Sequence, residues 1–567
     1  MVKHLRHNVI LTLALKQVIK NISGEFKSCE LTAIMGTSGS GKTTLLNILS
    51  GFVTENVTGV LEFNRASRSQ SYIMQDENLN LLLSVNESMM FSINLKCGSK
   101  LTREKKKQKV DQILETLGLE QRTDVFVKNL SGGQRKRLSI AIELVDDPSI
   151  LFLDEPTTGL DSSSSLQCIR LLKKLSQQGK TIICTIHTPS ALLFQMFDHL
   201  YAMTDGRCIY QGGTNNLVPF LADAGLNCPP SYNPSDFLME IATGEYGSQN
   251  DALSKMIQNG SNESYRVEAN NKVKKYEFEI INEDFTNRFS SSFMNQLSNL
   301  LLRNFLMLYR DKVIMWLRLG IHIVVALIVG AFFENTGGQA TRITNNFRLV
   351  YAITLFLMYT SFYSLATRFS SEIAIIKTEH FNRWYSTSAY YLAMTIADIP
   401  LTLVCSFIFV ATVYVMTDQP FEDFRFAYFV MLQILSSFIS QGLGLMIGSF
   451  FKLMNALYFA AVFLPVIVLF GGFMITQKDA NKFFYWIFEI CYTKHAGDAT
   501  LVSILGYNRS KLECTEEIYC HFERPQKFLE EIDFKDEISV GNISVLIASL
   551  IIFRLVAFYM INHRLKH

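Results

Sequence analysis

Residues 31–43 read Leu-Thr-Ala-Ile-Met-Gly-Thr-Ser-Gly-Ser-Gly-Lys-Thr, and the rest of the first half of the chain takes its meaning from them. The apolar run LTAIM (31–35) has the make-up of a buried strand, and Lys42–Leu49 that of a helix. Between them Gly36-Thr37-Ser38-Gly39-Ser40-Gly41-Lys42-Thr43 has the spacing of a phosphate-binding loop, in the strand-before, helix-after context such a loop requires. The glycines let the backbone curl so that successive N–H groups point at an anion. Lys42 brings a point charge for the β- and γ-phosphates, and the Thr43 hydroxyl is placed to ligate Mg²⁺. Thr44 follows in the first helical turn, whose positive dipole end faces the same anion.

Two further stretches narrow the chemistry. Ile150-Leu151-Phe152-Leu153-Asp154-Glu155 reads as a buried strand ending in two carboxylates. Asp154 is suited to holding Mg²⁺ and Glu155 to polarising an attacking water, the division of labour that phosphoryl transfer to water needs. Upstream, Leu130-Ser131-Gly132-Gly133-Gln134 opens a second helix with a Ser-Gly-Gly turn, another anion-binding helix start. One site has no use for two phosphate cradles.

Together these motifs resemble the ABC ATPase family. LSGGQ (130–134) resembles its signature motif, Gln75 in YIMQDE its Q-loop, Gly159-Leu160-Asp161 its D-loop, and His187 in TIHTPS its switch histidine. The resemblance implies an α/β P-loop domain with ATP and Mg²⁺ as cofactors. It also implies Thr43, Gln75 and Asp154 around the metal, and Glu155, His187 and Gln75 at the reacting γ-phosphate. One departure stands out. Such domains often stack adenine on an aromatic ring about twenty-five residues before the phosphate loop, yet residues 1–25 contain no Phe, Tyr or Trp. An aliphatic side chain such as Val18 would have to substitute.

The second half is of another kind. Apolar residues make up 49% of the 567 and charged residues 18%, against roughly 25% charged in a typical soluble chain. The deficit lies beyond Val313. Segments of about 20 apolar residues can cross a bilayer, and six are expected: 313–333, 347–367, 392–416, 425–448, 455–475 and 541–561. Pro400, Gly442, Gly444 and Pro465 interrupt three of them, which membrane helices tolerate when neighbours re-satisfy the backbone. Arg303, Arg310, Lys312, Arg318, Arg368, Lys377, Arg383, Lys452, Arg564 and Lys566 all fall on one side of this arrangement. That is the cytosolic side by the positive-inside tendency, and it is shared with the ATPase domain. The N-terminus has no cleavable signal pattern and is expected to start in the cytosol. Segment 476–540, richer in acids than bases, is then extracellular. The basic run 103–109 reads as a solvated helix face, and no basic stripe argues for nucleic acid.

An ATPase domain placed before six spans resembles subfamily G of the ABC transporters, the White-type half-transporters. The resemblance rests on Asn233-Pro-Ser-Asp-Phe237, Tyr309-Arg310-Asp311, Leu317-Arg318 with His322, Glu379-His380-Phe-Asn-Arg-Trp-Tyr385, and Ala389-Tyr-Tyr-Leu-Ala393 with Ala397-Asp398-Ile-Pro400. The last two are closest to the sterol- and lipid-exporting branch, including its insect members, although Thr378 stands where that branch usually has Arg. The expected organisation is an ABC domain over 1–243, a polar linker over 244–288, an amphipathic connecting helix over 289–312 and an all-α six-helix membrane domain over 313–567. Arg318 is expected to snorkel, and His322, deeper in the span, to serve interhelical packing.

The resemblance further implies a dimer, homo- or heteromeric, in which one chain's signature closes over the other's phosphate loop. It implies outward movement of a hydrophobic small molecule, a lipid or sterol, across the plasma membrane. A heterodimer moving pigment precursors, or an importer, is the alternative. Phe356, Tyr359, Phe362 and Tyr363 line either a cavity between protomers or a lipid-facing stripe. Phe473 and Met474 occupy the place of the apolar plug that closes the cavity in this subfamily. In the outer segment, Cys514 and Cys520 are expected to form a disulfide within the chain or bridges between chains. Asn508-Arg-Ser510 there is a glycosylation acceptor pattern. The six spans exclude a soluble ATPase, and the presence of Lys42, Asp154, Glu155 and His187 argues against a degenerate one.

Overall fold

The structure, a computed structural model, describes residues 17–64, 69–265, 278–279, 289–475, 477, 479–514, 520–532 and 534–566. Residues 1–16 of the N-terminal stretch, and 266–277 and 280–288 of the expected linker, lie outside the described residues. The chain forms two compact units. One comprises Met1–Ser290 with Phe381–Trp384, and the other Ser291–His380 with Tyr385–His567.

The first unit is built on a six-stranded sheet. Its strands are β1 (Leu31–Gly36), β2 (Gln70–Ile73), β3 (Ile150–Leu153), β4 (Thr181–Thr185), β5 (His199–Thr204) and β6 (Arg207–Gly213), in the order β2-β3-β4-β1-β5-β6. All neighbours are parallel except β5 and β6. β1, β3 and β4 are buried along their whole length. Continuous apolar runs such as LTAIM and ILFL therefore become parallel strands covered on both faces, with helices as the cover. The covering helices that bear on the site are α1 (Lys42–Leu49), α2 (Val85–Cys97), α3 (Gly132–Leu144) and α4 (Ser162–Gln177).

Part of the expected linker belongs to this unit. Asn250–Met256 is helical, Leu253 and Ile257 are wholly buried, and the Asn259 amide donates to the carbonyls of Lys20 and Asn21, both at 2.8 Å. Two apolar residues one turn apart anchor the segment, a signal that its polar average composition hides.

The second unit is helical: α5 (Phe293–Arg310), α6 (Lys312–Phe332), α7 (Ile343–Phe381, its last residue counted with the first unit), α8 (Thr387–Met416), α9 (Asp423–Phe450), α10 (Leu453–Leu469), α11 (Tyr492–Leu505) and α12 (Val540–Lys566). Among the described residues, five helices are long and apolar enough to cross a membrane: Lys312–Phe332, Ala340–Phe381, Thr387–Met416, Asp423–Phe450 and Val540–Leu565. The expected fifth span, 455–475, is a 17-residue helix instead. It stops where Gly471-Gly472 follows, Gly472 having φ +84°, a conformation that no helix continues through. The expected second span runs on as a helix to Phe381.

One expectation about a side chain, that for Arg318, is corrected. The connecting helix α5 buries Gln296, Leu300, Arg303, Asn304 and Met307 and exposes Phe293, Leu302, Phe305 and Tyr309. Its buried polar residues have partners. Arg303 pairs with Glu379 at 2.7 Å and the Gln296 amide oxygen accepts from the Ser386 N–H at 2.9 Å. Arg318 does not snorkel. It donates to Asp398 at 3.1 Å and to Thr402 at 2.8 Å, while Gln441 donates to Asp398 at 2.6 Å and Arg554 to Gln441 at 3.2 Å. An unpaired carboxylate inside an apolar bundle would cost several kcal/mol, so the pair turns inward. Within the segment 476–540, α11 is buried apart from half-buried Lys494 and packs on α9 and α12. His322 is buried with its ring edge-on to Phe356 and Phe409, as interhelical packing requires.

Candidate functional site: the carboxyl edge of the sheet

A parallel sheet delivers the carboxyl ends of its strands to one edge, and the crevice there is where ligands bind in open α/β sheets. In this unit β1, β3 and β4 are adjacent, so the segments following them converge. The phosphate loop leaves β1, Asp154 and Glu155 leave β3, His187 leaves β4, and Gln75 follows β2 at the next position.

The loop is built as its glycines demand. A Cβ on Gly36 would lie 2.2 Å from the Met203 carbonyl oxygen, so only glycine lets the loop cross β5 there. Gly41, with φ +100°, caps α1 without a side chain in the way. Thr37, Ser38 and Gly39 form the open crest, and nothing lies within 4 Å of where a Gly39 Cβ would be. Lys42 is 7% exposed, and its ammonium donates to the Gly36 and Thr37 carbonyls at 2.8 and 3.0 Å. Among the described residues the buried Ser40 hydroxyl has no hydrogen-bond partner. A buried orphan hydroxyl beside a buried ammonium and a helix N-terminus suits a phosphate group.

The carboxylates are held by Thr185, at the end of β4. Its hydroxyl donates to Asp154 Oδ1 at 2.6 Å and accepts from the Glu155 backbone N–H at 2.8 Å. Thr43 also donates to Asp154 Oδ1, at 3.2 Å. Burial raises the Asp154 pKa above the usual carboxylate range against the pull of these two hydroxyls, and lowers that of Lys42. Asp154 makes no ion pair among the described residues. A buried carboxylate next to a threonine hydroxyl is the hard-oxygen donor set that suits Mg²⁺. Glu155 sits at φ +44°, uncommon for a residue with a Cβ. Its Oε2 accepts from Gln75 Nε2 at 3.0 Å and from the Thr158 hydroxyl at 2.9 Å. His187 is exposed at the same edge.

The signature residues stand apart from this cluster. Ser131 and Gln134 cap α3 reciprocally: Ser131 Oγ accepts from the Gln134 N–H, and Gln134 Oε1 from the Ser131 N–H at 3.0 Å. Gly133 faces Ser164 and Gly132 faces Leu160, both in the D-loop region. Among the described residues, none of the four bonds to the phosphate loop, and Ser131 is exposed. Two residues that the sequence motifs did not single out matter here. One is Thr185. The other is Lys136, on α3, whose ammonium donates to the carbonyls of Met74 and Gln75 at 3.0 and 3.1 Å and so ties the signature helix to the Gln75 loop. A buried polar residue at a strand end and a buried lysine one turn into the helix were the available signals. Val18 lies beside the loop, its Cγ1 3.5 Å from the place of a Gly41 Cβ, and is 44% exposed.

The first unit also holds Phe381–Trp384, from the end of α7 and the connection to α8. Phe381 packs edge-on to Phe52 and Tyr72, and Asn382 pairs with the Tyr72 backbone, accepting from its N–H and donating to its carbonyl, both at 2.9 Å. Trp384 donates to Glu143, itself in a buried pair with Lys96 of α2 at 2.5 Å.

The remaining predicted residues fall in the second unit. Phe362 is wholly buried, while Phe356 is half-buried and stacks on Phe409 at 4.4 Å. Gly444 is what lets α9 approach Phe362, since a Cβ there would meet the Phe362 carbonyl at 2.2 Å. Tyr359 and Tyr363 are half-buried. Phe473 leans on Phe347 and Tyr351, with centroids at 6.1 and 5.6 Å, and Met474 is exposed. Cys514 and Cys520 are joined as a disulfide, and Asn508 and Ser510 are exposed.

Comparison with known proteins agrees with this division. Residues 19–158 match the family described as ABC transporter, and residues 295–505 the one described as ABC-2 type transporter. Protein white of Ceratitis capitata is 31% identical over 521 residues, covering 86% of this chain and 75% of that protein. ABC transporter G family member 22 of Arabidopsis thaliana is 30% identical over 523 residues, covering 85% and 69%. Protein white of Drosophila melanogaster is 30% identical over 516 residues, covering 86% and 74%.

Proposed function

The chain belongs to the G family of ABC transporters, that of the White proteins, and from that premise we propose that it exports a hydrophobic small molecule, a lipid or sterol, across the plasma membrane as one half of a dimeric ATP-driven pump. The observation that carries the reading is the pairing, in one chain, of a phosphate loop and two strand-end carboxylates with several helices long and apolar enough to cross a membrane.

In this reading Lys42, Ser40 and the loop N–H groups hold the ATP phosphates, and Val18 covers the adenine face in place of an aromatic ring. Thr43, Asp154 and Gln75 hold Mg²⁺, which when bound screens the β- and γ-phosphate charge. Glu155 accepts the proton of the attacking water, with Gln75 and Thr158 fixing its carboxylate. His187 donates to the γ-phosphate oxygens. Catalysis of this kind is mostly positioning and charge stabilisation, so the prepared hydrogen bonds around Asp154 and Glu155 are the useful investment. The exposed Ser131-Gly132-Gly133-Gln134 turn offers its helix N-terminus to the ATP of a second copy, which makes dimerisation a condition of hydrolysis.

The test is transport. In vesicles carrying the purified chain with its ATPase unit outward, ATP drives uptake of a radiolabelled sterol into the lumen, and Lys42→Ala abolishes it. ATP hydrolysis that no sterol or lipid stimulates, with no ATP-dependent uptake, refutes the cargo assignment while leaving the ATPase intact.

A further inference from the structure

The second unit contains a cavity of about 670 Å³ at the outer end of α7, walled by α11, the segment 531–539 and the start of α12. That volume suits a small-molecule site, and nothing in the ATP cycle makes use of it. Phe347, Tyr351, Val502, Ile532 and Phe534 give it an apolar lining. Beside them lies a carboxylate, Asp498, which is 8% exposed.

Asp498 is placed with care. Gly497 has no side chain, and a Cβ there would lie 2.8 Å from the Tyr351 ring, so the bare backbone lets that ring lie against α11. The Tyr351 hydroxyl then donates to Asp498 Oδ1 at 2.9 Å. Among the described residues the second oxygen has no hydrogen bond and the carboxylate has no ion pair. Lys494, one turn away, is committed elsewhere: its ammonium donates to Gln477 at 2.6 Å and lies 3.6 Å from Glu489. Burying a carboxylate without a cation costs several kcal/mol, and proteins keep such groups where a partner arrives. Lys494 and His495 act on Asp498 only through space, and among the described residues no cation bonds to it. Asp479, Glu531 and Glu537 face Lys494 and Lys535 in the cavity, so acids exceed bases. Aromatic walls add attraction for a cation and none for an anion.

We propose that this cavity binds an amphiphile with a protonated amine head, the ammonium against Asp498 and the apolar body along Phe347, Val502 and Phe534. The site shares Tyr351 with Phe473, whose ring leans on the same tyrosine, so its occupancy bears directly on the residue expected to plug the pathway. The inference does not rest on the lipid or sterol cargo, and ATP hydrolysis is not needed for the binding it describes.

Dodecylamine, dodecanol and dodecanoate, each tritiated, are titrated onto the full chain in lipid nanodiscs, with empty nanodiscs as the partition blank. Dodecylamine is expected to bind saturably above the blank, at least tenfold tighter than dodecanol, and dodecanoate not at all. Asp498→Asn, which keeps an acceptor for Tyr351, is expected to weaken amine binding at least tenfold. Val502→Trp, which narrows the cavity and leaves the carboxylate in place, is expected to abolish it and decides the matter if the first variant does not fold. No saturable binding, equal binding of amine and alcohol, or amine binding unchanged in a folded variant overturns the proposal.

Discussion

Replacing Glu155 by Gln separates the two halves of the site's work. The side chain's Oε2 accepts from Gln75 Nε2 at 3.0 Å and from the Thr158 hydroxyl at 2.9 Å. An amide oxygen can accept both, and a Gln has the same Cβ at φ +44°, so the backbone cost is unchanged and the fold has little to lose. The phosphate cradle of Ser40, Lys42 and Thr43 is untouched. What goes is the capacity to take a proton from water. A positioned general base contributes about 10²–10⁴ in rate, or roughly 3–5 kcal/mol at about 1.4 kcal/mol per tenfold. Phosphate release per chain should therefore fall by that factor, while ATP affinity measured at equilibrium changes by less than about threefold, since binding contacts are kept. Turnover within about threefold of the parent would refute the role given to Glu155. A parallel collapse of ATP affinity would show instead that Glu155 shapes the binding site.

Other outcomes follow from the packing. Lys96→Met leaves Glu143 buried without its cation and should destabilise the ATPase unit by roughly 3–5 kcal/mol. Lys173→Met, which breaks the half-exposed pair with Asp198, should cost under about 1 kcal/mol; equal losses of thermal stability in the two variants would refute the distinction. Replacing Phe473 and Met474 together by Ala should raise ATP consumed per cargo molecule moved, because the ring leaning on Tyr351 is gone, and an unchanged ratio counts against the plug. Protein surfaced by a glycosylating host should lose mass at Asn508 on glycosidase treatment and show no free thiol at Cys514 or Cys520. Two free thiols there would contradict an extracellular position for this segment.

The site was largely legible because its parts are local. Eight consecutive residues specify the phosphate loop, and one strand end carries both carboxylates. Thr185 and Lys136 were not legible, since each acts through a partner far along the chain, Asp154 in one case and the Met74–Gln75 backbone in the other. The membrane helices announced themselves by length and apolarity, whereas their polar contents did not declare direction. Arg318 reads as a snorkelling residue from its shallow place in the span, and its inward turn shows only when Asp398, Thr402, Gln441 and Arg554 converge from three other helices. In α5 the periodicity shows an amphipathic helix but not which polar residues are buried, since Arg303 and Gln296 are met by Glu379 and Ser386 far along the chain. α11 was missed for a third reason: its apolar content is diluted by Lys494, His495 and Asp498, each of which has a specific contact inside the fold.

The central claim is that hydrolysis happens at a site shared between two copies, the phosphate loop from one and the signature turn from the other. Ser38, on the open crest of the loop, and Ser131, capping α3, are both exposed, so cysteines can be placed there. In the Glu155→Gln background, chains carrying Ser38→Cys are mixed with differently tagged chains carrying Ser131→Cys and treated with a short bifunctional thiol reagent. A covalent product containing both tags is predicted with ATP and Mg²⁺ present and not without nucleotide, and chains lacking the introduced cysteines should give none. If a chain carrying both cysteines crosslinks only within itself and the mixed chains never join, the shared site is wrong.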